Sequence, residues 1–206
     1  MKKYNIKNIV FDLGGVLIDW NPRHLFTEVI ENHDELDFFL TEICSGDWNE
    51  EQDAGRSLSE GTDLLKKQFP GFRKEIEMYY GDWEKMLKGP IQINVEIFYR
   101  LRKSGCYRLL ALTNWSAETF PVALKKFSFL HDFDGILVSG IEKIRKPQPE
   151  FYQLMLDRFK INPSETLFID DNFRNIQAAQ EMGILAIHLP EGVSLKEQLG
   201  KFSINL

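Results

Sequence analysis

An α/β fold, with a three-layer parallel-sheet core and an α-helical cap inserted after the first strand, is what this sequence predicts. Three observations carry that expectation. Two apolar runs end in acids, Ile9-Val10-Phe11-Asp12-Leu13-Gly14-Gly15 and Leu167-Phe168-Ile169-Asp170-Asp171-Asn172. Runs of this kind suit strands covered on both faces, where a carboxylate is tolerated only at the exposed end. From Pro90 onward, strand-like and helix-like segments alternate as in successive βαβ units. Between the first strand and the next parallel-type strand, ending at Thr113, lie roughly ninety residues, where a simple crossover unit needs only about 30.

The elements follow in order. The first strand covers 6–12. Asn21-Pro22 reads as a helix cap followed by proline at the first helical position, leading into Leu25, Phe26, Val29 and Ile30 at helical spacing. Helices are expected over 34–43, 57–68 and 72–87, separated by Gly46, Gly55, Gly71 and Gly89, so four short helices make up the cap. The cap then occupies 17–89, and the core is built from 1–16 and 90–206. A helix bearing Ile93, Ile97, Phe98 and Leu101 on one face stops at Gly105 and gives way to a strand over 107–113. Ser116 is placed to cap a helix running to 126, followed by a strand over 133–139. A helix from Pro149 to 159, a strand over 166–170, a helix ending at Gly183, a strand over 184–189 and a short last helix complete a doubly wound, Rossmann-like core.

Composition narrows the function. Apolar content of 43% and charged content of 27% are those of an ordinary globular domain. A net charge of -6 argues against nucleic acid or anionic membrane as partners, since neither is bound without a basic surface. No apolar stretch of signal-peptide length precedes Asp12 and none is long enough to span a bilayer, so a cytoplasmic location is expected. Cys44 and Cys106 lie far apart without metal-ligand spacing and read as free buried thiols.

Asp12, Asp170 and Asp171 would all emerge at strand carboxyl ends, the edge where open α/β sheets bind ligands. Three carboxylates gathered there repel one another unless a cation sits between them, and such hard oxygen ligands suit Mg²⁺.

Four segments in order, Asp12-Leu13-Gly14-Gly15, Leu110-Ala111-Leu112-Thr113-Asn114, Lys146-Pro147-Gln148-Pro149-Glu150 and Ile169-Asp170-Asp171-Asn172 with Asn175 beyond, resemble the haloacid dehalogenase superfamily, Rossmann-like hydrolases that are mostly magnesium-dependent phosphatases. The insertion directly after the first strand resembles the members with an α-helical cap. The Asp12-Leu13-Gly14, Thr113-Asn114-Trp115-Ser116 and Asp170-Asp171-Asn172 segments are similar to bacterial sugar-phosphate phosphatases of the glucose-1-phosphate type.

That resemblance implies an Mg²⁺-dependent hydrolysis of a small phosphorylated metabolite in which Asp12 is the nucleophile and carries an aspartyl phosphate. It assigns the ion to Asp12, the Gly14 carbonyl and Asp171, with Asp170 holding a metal-bound water or standing behind the ligands. Thr113 and the Asn114 backbone N–H would bind phosphoryl oxygens. Lys146 would supply positive charge and hold Asp12 ionised. Gly14 and Gly15 would admit main-chain N–H groups to the phosphate. Trp20 and Trp115, which follow the first two motifs, would line the substrate mouth or pack in the core. The four histidines are assigned no site.

Gly14 departs from the pattern. Most phosphatases of this family carry a second aspartate there, which protonates the leaving oxygen, and such help is worth about 10²- to 10⁴-fold. Without it, turnover should be slow or confined to better leaving groups such as a sugar 1-phosphate, unless a cap residue or water substitutes. Two other readings compete. A metal-independent haloacid dehalogenase fits Gly14 but not the paired acids, and a non-catalytic binder of a phosphorylated metabolite fits a pocket that has lost turnover.

Overall fold

The computed structural model describes residues 4–205. Its core is a five-stranded parallel sheet of β1 (Asn8–Phe11), β4 (Arg108–Thr113), β5 (Gly135–Val138), β6 (Thr166–Asp170) and β7 (Leu185–His188), in the order β5-β4-β1-β6-β7. The chain leaves β1 for β4 and β5 on one side and returns to fill β6 and β7 on the other. Strand order therefore reverses at the carboxyl end of β1.

Alternation along the strands divides the core into two layers of side chains. Ile9, Phe11, Leu109, Ala111, Leu167 and Ile169 face one side, where they meet Phe98 and Leu101 of α6 (Gln92–Ser104), α7 (Phe120–Lys126) and α11 (Leu195–Lys201). Val10, Leu110, Leu112 and Phe168 face the other, against α9 (Pro149–Phe159) and α10 (Phe173–Glu181). Every residue of β1 and β6 is buried, as expected of strands covered on both faces.

Between β1 and α6 the chain forms the helical insertion. Its first and last segments, β2 (Ile18–Trp20) and β3 (Leu87–Pro90), pair antiparallel and tie it to the core. Five α-helices lie between them: α1 (Arg23–Val29), α2 (His33–Phe38, continued by a π turn at Phe39–Ile43), α3 (Gly46–Asp53), α4 (Leu58–Gln68) and α5 (Arg73–Gly81). Phe26 sits at their centre, with its ring 4.7 Å from that of Phe39 and 5.9 Å from that of Tyr79.

The expected elements need four corrections. The stretch from Gly46 to Gly55 is a helix, not a separator: Ser45 Oγ accepts the Trp48 N–H at 3.2 Å and starts α3. The helix expected over 72–87 stops at Gly81, because Leu87–Pro90 is taken up in pairing with β2. Ser116 does not begin α7, which starts at Phe120; Pro121 has no N–H to give and fits only the first turn. Cys106 is exposed in the turn after α6, whereas Cys44 is buried. The Asn21-Pro22 start is present, with Asn21 Oδ1 accepting the Arg23 N–H at 2.9 Å. A short helix, α8 (Ser139–Glu142), follows β5 directly. Among the described residues, no helix is long and apolar enough to cross a membrane.

Candidate active site

Parallel pairing brings Asp12, Thr113 and Asp170 to one edge of the sheet. Asp12 follows β1 and donates its backbone N–H to the Ile169 carbonyl at 2.8 Å, so the strand pairing itself aims the residue. Its Oδ1 accepts the Leu13 N–H at 2.7 Å. The loop beyond turns sharply, with the Leu17 and Ile18 N–H groups both reaching the Leu13 carbonyl at 2.8 Å. Asn94 of α6 secures it, Nδ2 donating to the Val16 carbonyl at 2.7 Å.

Lys146 is fully buried, and its Nζ stands 2.9 Å from Asp12 Oδ1 and 2.7 Å from Asp170 Oδ2. Asn114 fixes the backbone that carries it. Asn114 Oδ1 accepts the Lys146 N–H and Asn114 Nδ2 donates to the Lys146 carbonyl, each at 2.9 Å. The Asn114 side chain therefore positions Lys146, a role its sequence position did not suggest.

Asp170 is fully buried and heavily bonded. Besides Lys146 it accepts Asn175 Nδ2 at 3.0 and 3.1 Å and the Asn172 N–H at 2.8 Å. Asn172 also caps α10. Asp171 is half-buried, and His188 Nε2 lies 2.9 Å from its backbone oxygen. Carboxylate oxygens of Asp12, Asp170 and Asp171 lie within 4.8 Å of one another.

One buried ammonium thus faces three acids. Burial raises the Asp12 carboxyl to about 7, with Asp170 and Asp171 adding to the rise and Lys146 opposing it. The Lys146 ammonium, paired with Asp12 at 2.9 Å, favours the ionised form against that rise. Burial and then Asp170 raise Asp171 as well. For Lys146, burial pulls the ammonium down, but Asp12 and Asp170 outweigh it and the pKa rises.

A divalent cation fits this donor set. The excess of acid is what such an ion would neutralise, and three hard oxygens within coordination reach suit Mg²⁺. Beside them, Thr113 Oγ1 is buried without a hydrogen-bond partner, which leaves one polar atom ready for a ligand. Gly15 is required here: its φ is +70°, and a Cβ on it would lie 2.2 Å from Asp171 Oδ2. At Gly14, by contrast, a Cβ would meet nothing within 4 Å.

A cavity of about 60 Å³ adjoins Gly14 and Asn114 and is walled by Trp20, Asp53, Trp83 and Trp115. Trp20 and Trp115 thus both line this cavity, and Trp115 is also buried in the core. Trp83 of the insertion shares the wall. A larger groove of about 450 Å³ lies at the opposite edge, between Asn8, Arg108 and Lys160, and includes none of the expected site residues.

Helix α3 supplies the groups that sequence reasoning missed. Glu50 bridges to the core through Arg145 and Arg174, both at 2.7 Å, and Asp53 lies about one turn further along. Its sequence, Gly46-Asp47-Trp48-Asn49-Glu50-Glu51-Gln52-Asp53, has no apolar stripe and so gave no helical signal. The buried Gln52 was equally hidden.

The comparisons with known proteins agree with this fold. The family model described as haloacid dehalogenase-like hydrolase matches residues 6–183. A sesquiterpene phosphatase of Aspergillus oryzae is 28% identical over 189 residues, 91% of this chain and 92% of its own. A D-ribitol-5-phosphate phosphatase of Bacteroides thetaiotaomicron is 26% identical over 94% of this chain and 97% of its own. A crystal structure of the wild-type HAD family enzyme bt-2542 of that organism, in complex with magnesium and inorganic phosphate, superposes with a TM-score of 0.71 at 24% identity, covering 93% of this chain and 98% of that one.

Proposed function

The chain belongs to the haloacid dehalogenase-like hydrolase family, and from that premise we propose that it is an Mg²⁺-dependent phosphatase that hydrolyses a small phosphomonoester, a sugar phosphate in kind, through an aspartyl phosphate on Asp12. One observation carries the reading: three carboxylates and one buried lysine share the point where strand order reverses. Its active form is a phosphatase of the cytoplasm, with residues 17–89 acting as a cap over the site.

Held by Asp12, Asp171 and the Gly14 carbonyl, with Asp170 behind them, the ion would neutralise the acids and the incoming phosphate. Asp12 attacks phosphorus, forming its new P–O bond as the bond to the leaving oxygen breaks. Hydrolysis of the aspartyl phosphate then releases inorganic phosphate and restores the carboxylate. Thr113 donates its otherwise unpartnered hydroxyl to a phosphoryl oxygen, and Lys146 Nζ adds positive charge held in place through Asn114. With Gly14 and Gly15 lining the approach, main-chain N–H groups come close to the phosphate.

A cavity of about 60 Å³ favours a small organic group, and Trp20 and Trp115 offer flat walls for a sugar or sugar alcohol. The D-ribitol-5-phosphate phosphatase among the relatives supports that choice. The acid cluster weighs against the dehalogenase reading, whose chemistry needs no cation. Phosphate release from a panel of sugar phosphates should require Mg²⁺, stop reversibly with EDTA and vanish in Asp12→Asn, with circular dichroism unchanged. Chelator-insensitive halide release from 2-haloacids would overturn it. So would thermal stabilisation by phosphorylated ligands without any turnover.

A further inference from the structure

We propose that Asp53, carried by α3 of the insertion, is the proton donor that replaces the acid missing at Gly14. This deepens the phosphatase reading and rests on it. Asp53 and Gly14 wall the same small cavity, so the insertion brings a carboxyl to the space that adjoins the nucleophile's own loop. That space is open, since a Cβ on Gly14 would touch nothing. The leaving oxygen, in line with Asp12 across the phosphorus, would fall between them.

The carboxyl is held in place by a chain of hydrogen bonds that ends on it. Gln52 Nε2 donates to Tyr80 Oη at 3.0 Å, Tyr80 Oη donates to Asn49 Oδ1 at 2.9 Å, and Asn49 Nδ2 donates to Asp53 Oδ2 at 3.1 Å. Each donor in that series has its direction set by the one before it. Helix α3 is itself clamped to the core, where Glu50 meets Arg145 and Arg174 at 2.7 Å each. A surface acid would need no such fixing.

Its protonation suits the task. Burial raises the Asp53 carboxyl to about 7 and Glu50 adds to the rise, while the Ser116 amide, Arg145 and Lys146 oppose it. Tyr79 and Tyr80 of α5 also feel its charge and stay neutral, their own pKa values raised mainly by burial. In the first step, Asp12 bonds to phosphorus, the ester P–O bond breaks, and the Asp53 proton passes to the leaving oxygen, giving an alcohol. In the second, the Asp53 carboxylate takes a proton from water as its oxygen bonds to phosphorus. The bond to Asp12 breaks, phosphate leaves, and both carboxyl groups return to their first state.

The restriction to good leaving groups expected from Gly14 is therefore lifted by a residue some forty positions away. Acetyl phosphate and glycerol phosphate separate the roles, because acetate leaves without a proton and a primary alkoxide does not. Single-turnover quench experiments on the Mg²⁺-loaded protein follow formation of the phosphorylated enzyme. Asp53→Asn should slow it by about 10²- to 10⁴-fold with glycerol phosphate and by less than about tenfold with acetyl phosphate. The phosphorylated enzyme should then persist. Adding Gly14→Asp to Asp53→Asn should restore glycerol phosphate hydrolysis. Equal losses with both substrates, or none with either, overturn the proposal. Wild-type protein that releases phosphate from neither substrate, nor from any sugar phosphate, sinks the phosphatase reading and this inference with it.

Discussion

Replacing Lys146 with methionine should destabilise the metal-free protein in a way that depends on pH. The side chain is fully buried, and its ammonium is the shared partner of Asp12 and Asp170 at 2.9 and 2.7 Å. Methionine keeps most of the apolar stem and its packing near Phe168, so charge is what the substitution removes. Removing one partner from a buried ion pair costs about 3–5 kcal/mol, because it strands the charge left behind. In a chain of this length that is a fall of roughly 6–20 °C in Tm.

The sign with pH follows from linkage. Without Lys146, which opposes the rise, burial leaves the Asp12 carboxyl still further above its unfolded value near 4. The folded state then binds more protons than the unfolded state, so stability is fullest at low pH and drains away as pH rises through the folded values. Urea unfolding in EDTA should therefore show the full deficit at pH 8 and a much smaller one at pH 5. Saturating Mg²⁺ should recover part of it at pH 8 by binding the folded state alone. A deficit equal at both pH values would mean that packing, not charge, was lost.

Three further outcomes follow from the same geometry. Thr113→Val removes a buried hydroxyl without a partner and should raise stability by about 1 kcal/mol in urea unfolding while lowering phosphate release at least about tenfold; a less stable variant would show that the hydroxyl is satisfied in the free protein. Gly15→Ala, strained at φ +70° and driven against Asp171, should weaken Mg²⁺ binding about 10- to 100-fold by calorimetry, and unchanged affinity would exclude Asp171 as a ligand. Glu50→Gln loosens the strap to Arg145 and Arg174 and should cost about 1–2 kcal/mol. That loss should appear as a roughly five- to thirtyfold lower kcat/KM, and a kcat/KM equal to wild type would count against this strap holding the insertion over the site.

Sequence by itself determined the sheet and the reactive edge. The central strands are continuous apolar runs, and Asp12, Thr113 and Asp170 stand at their carboxyl ends, so position along the chain reported position in space. Gly15 was legible for the same reason, as a turn at a strand end. Only the tertiary structure decided what stands opposite. Asn114 holds Lys146 across 32 residues, and Glu50 reaches Arg174 across 124, through side chains that any surface could carry. Helix α3 sets its single large apolar residue, Trp48, against Tyr79 and Tyr80 and gives Glu50 to Arg145 and Arg174, so hydrophobic periodicity has little to report there. Strand ends are encoded by neighbours along the chain, whereas the acid facing them is chosen by how a separate layer docks.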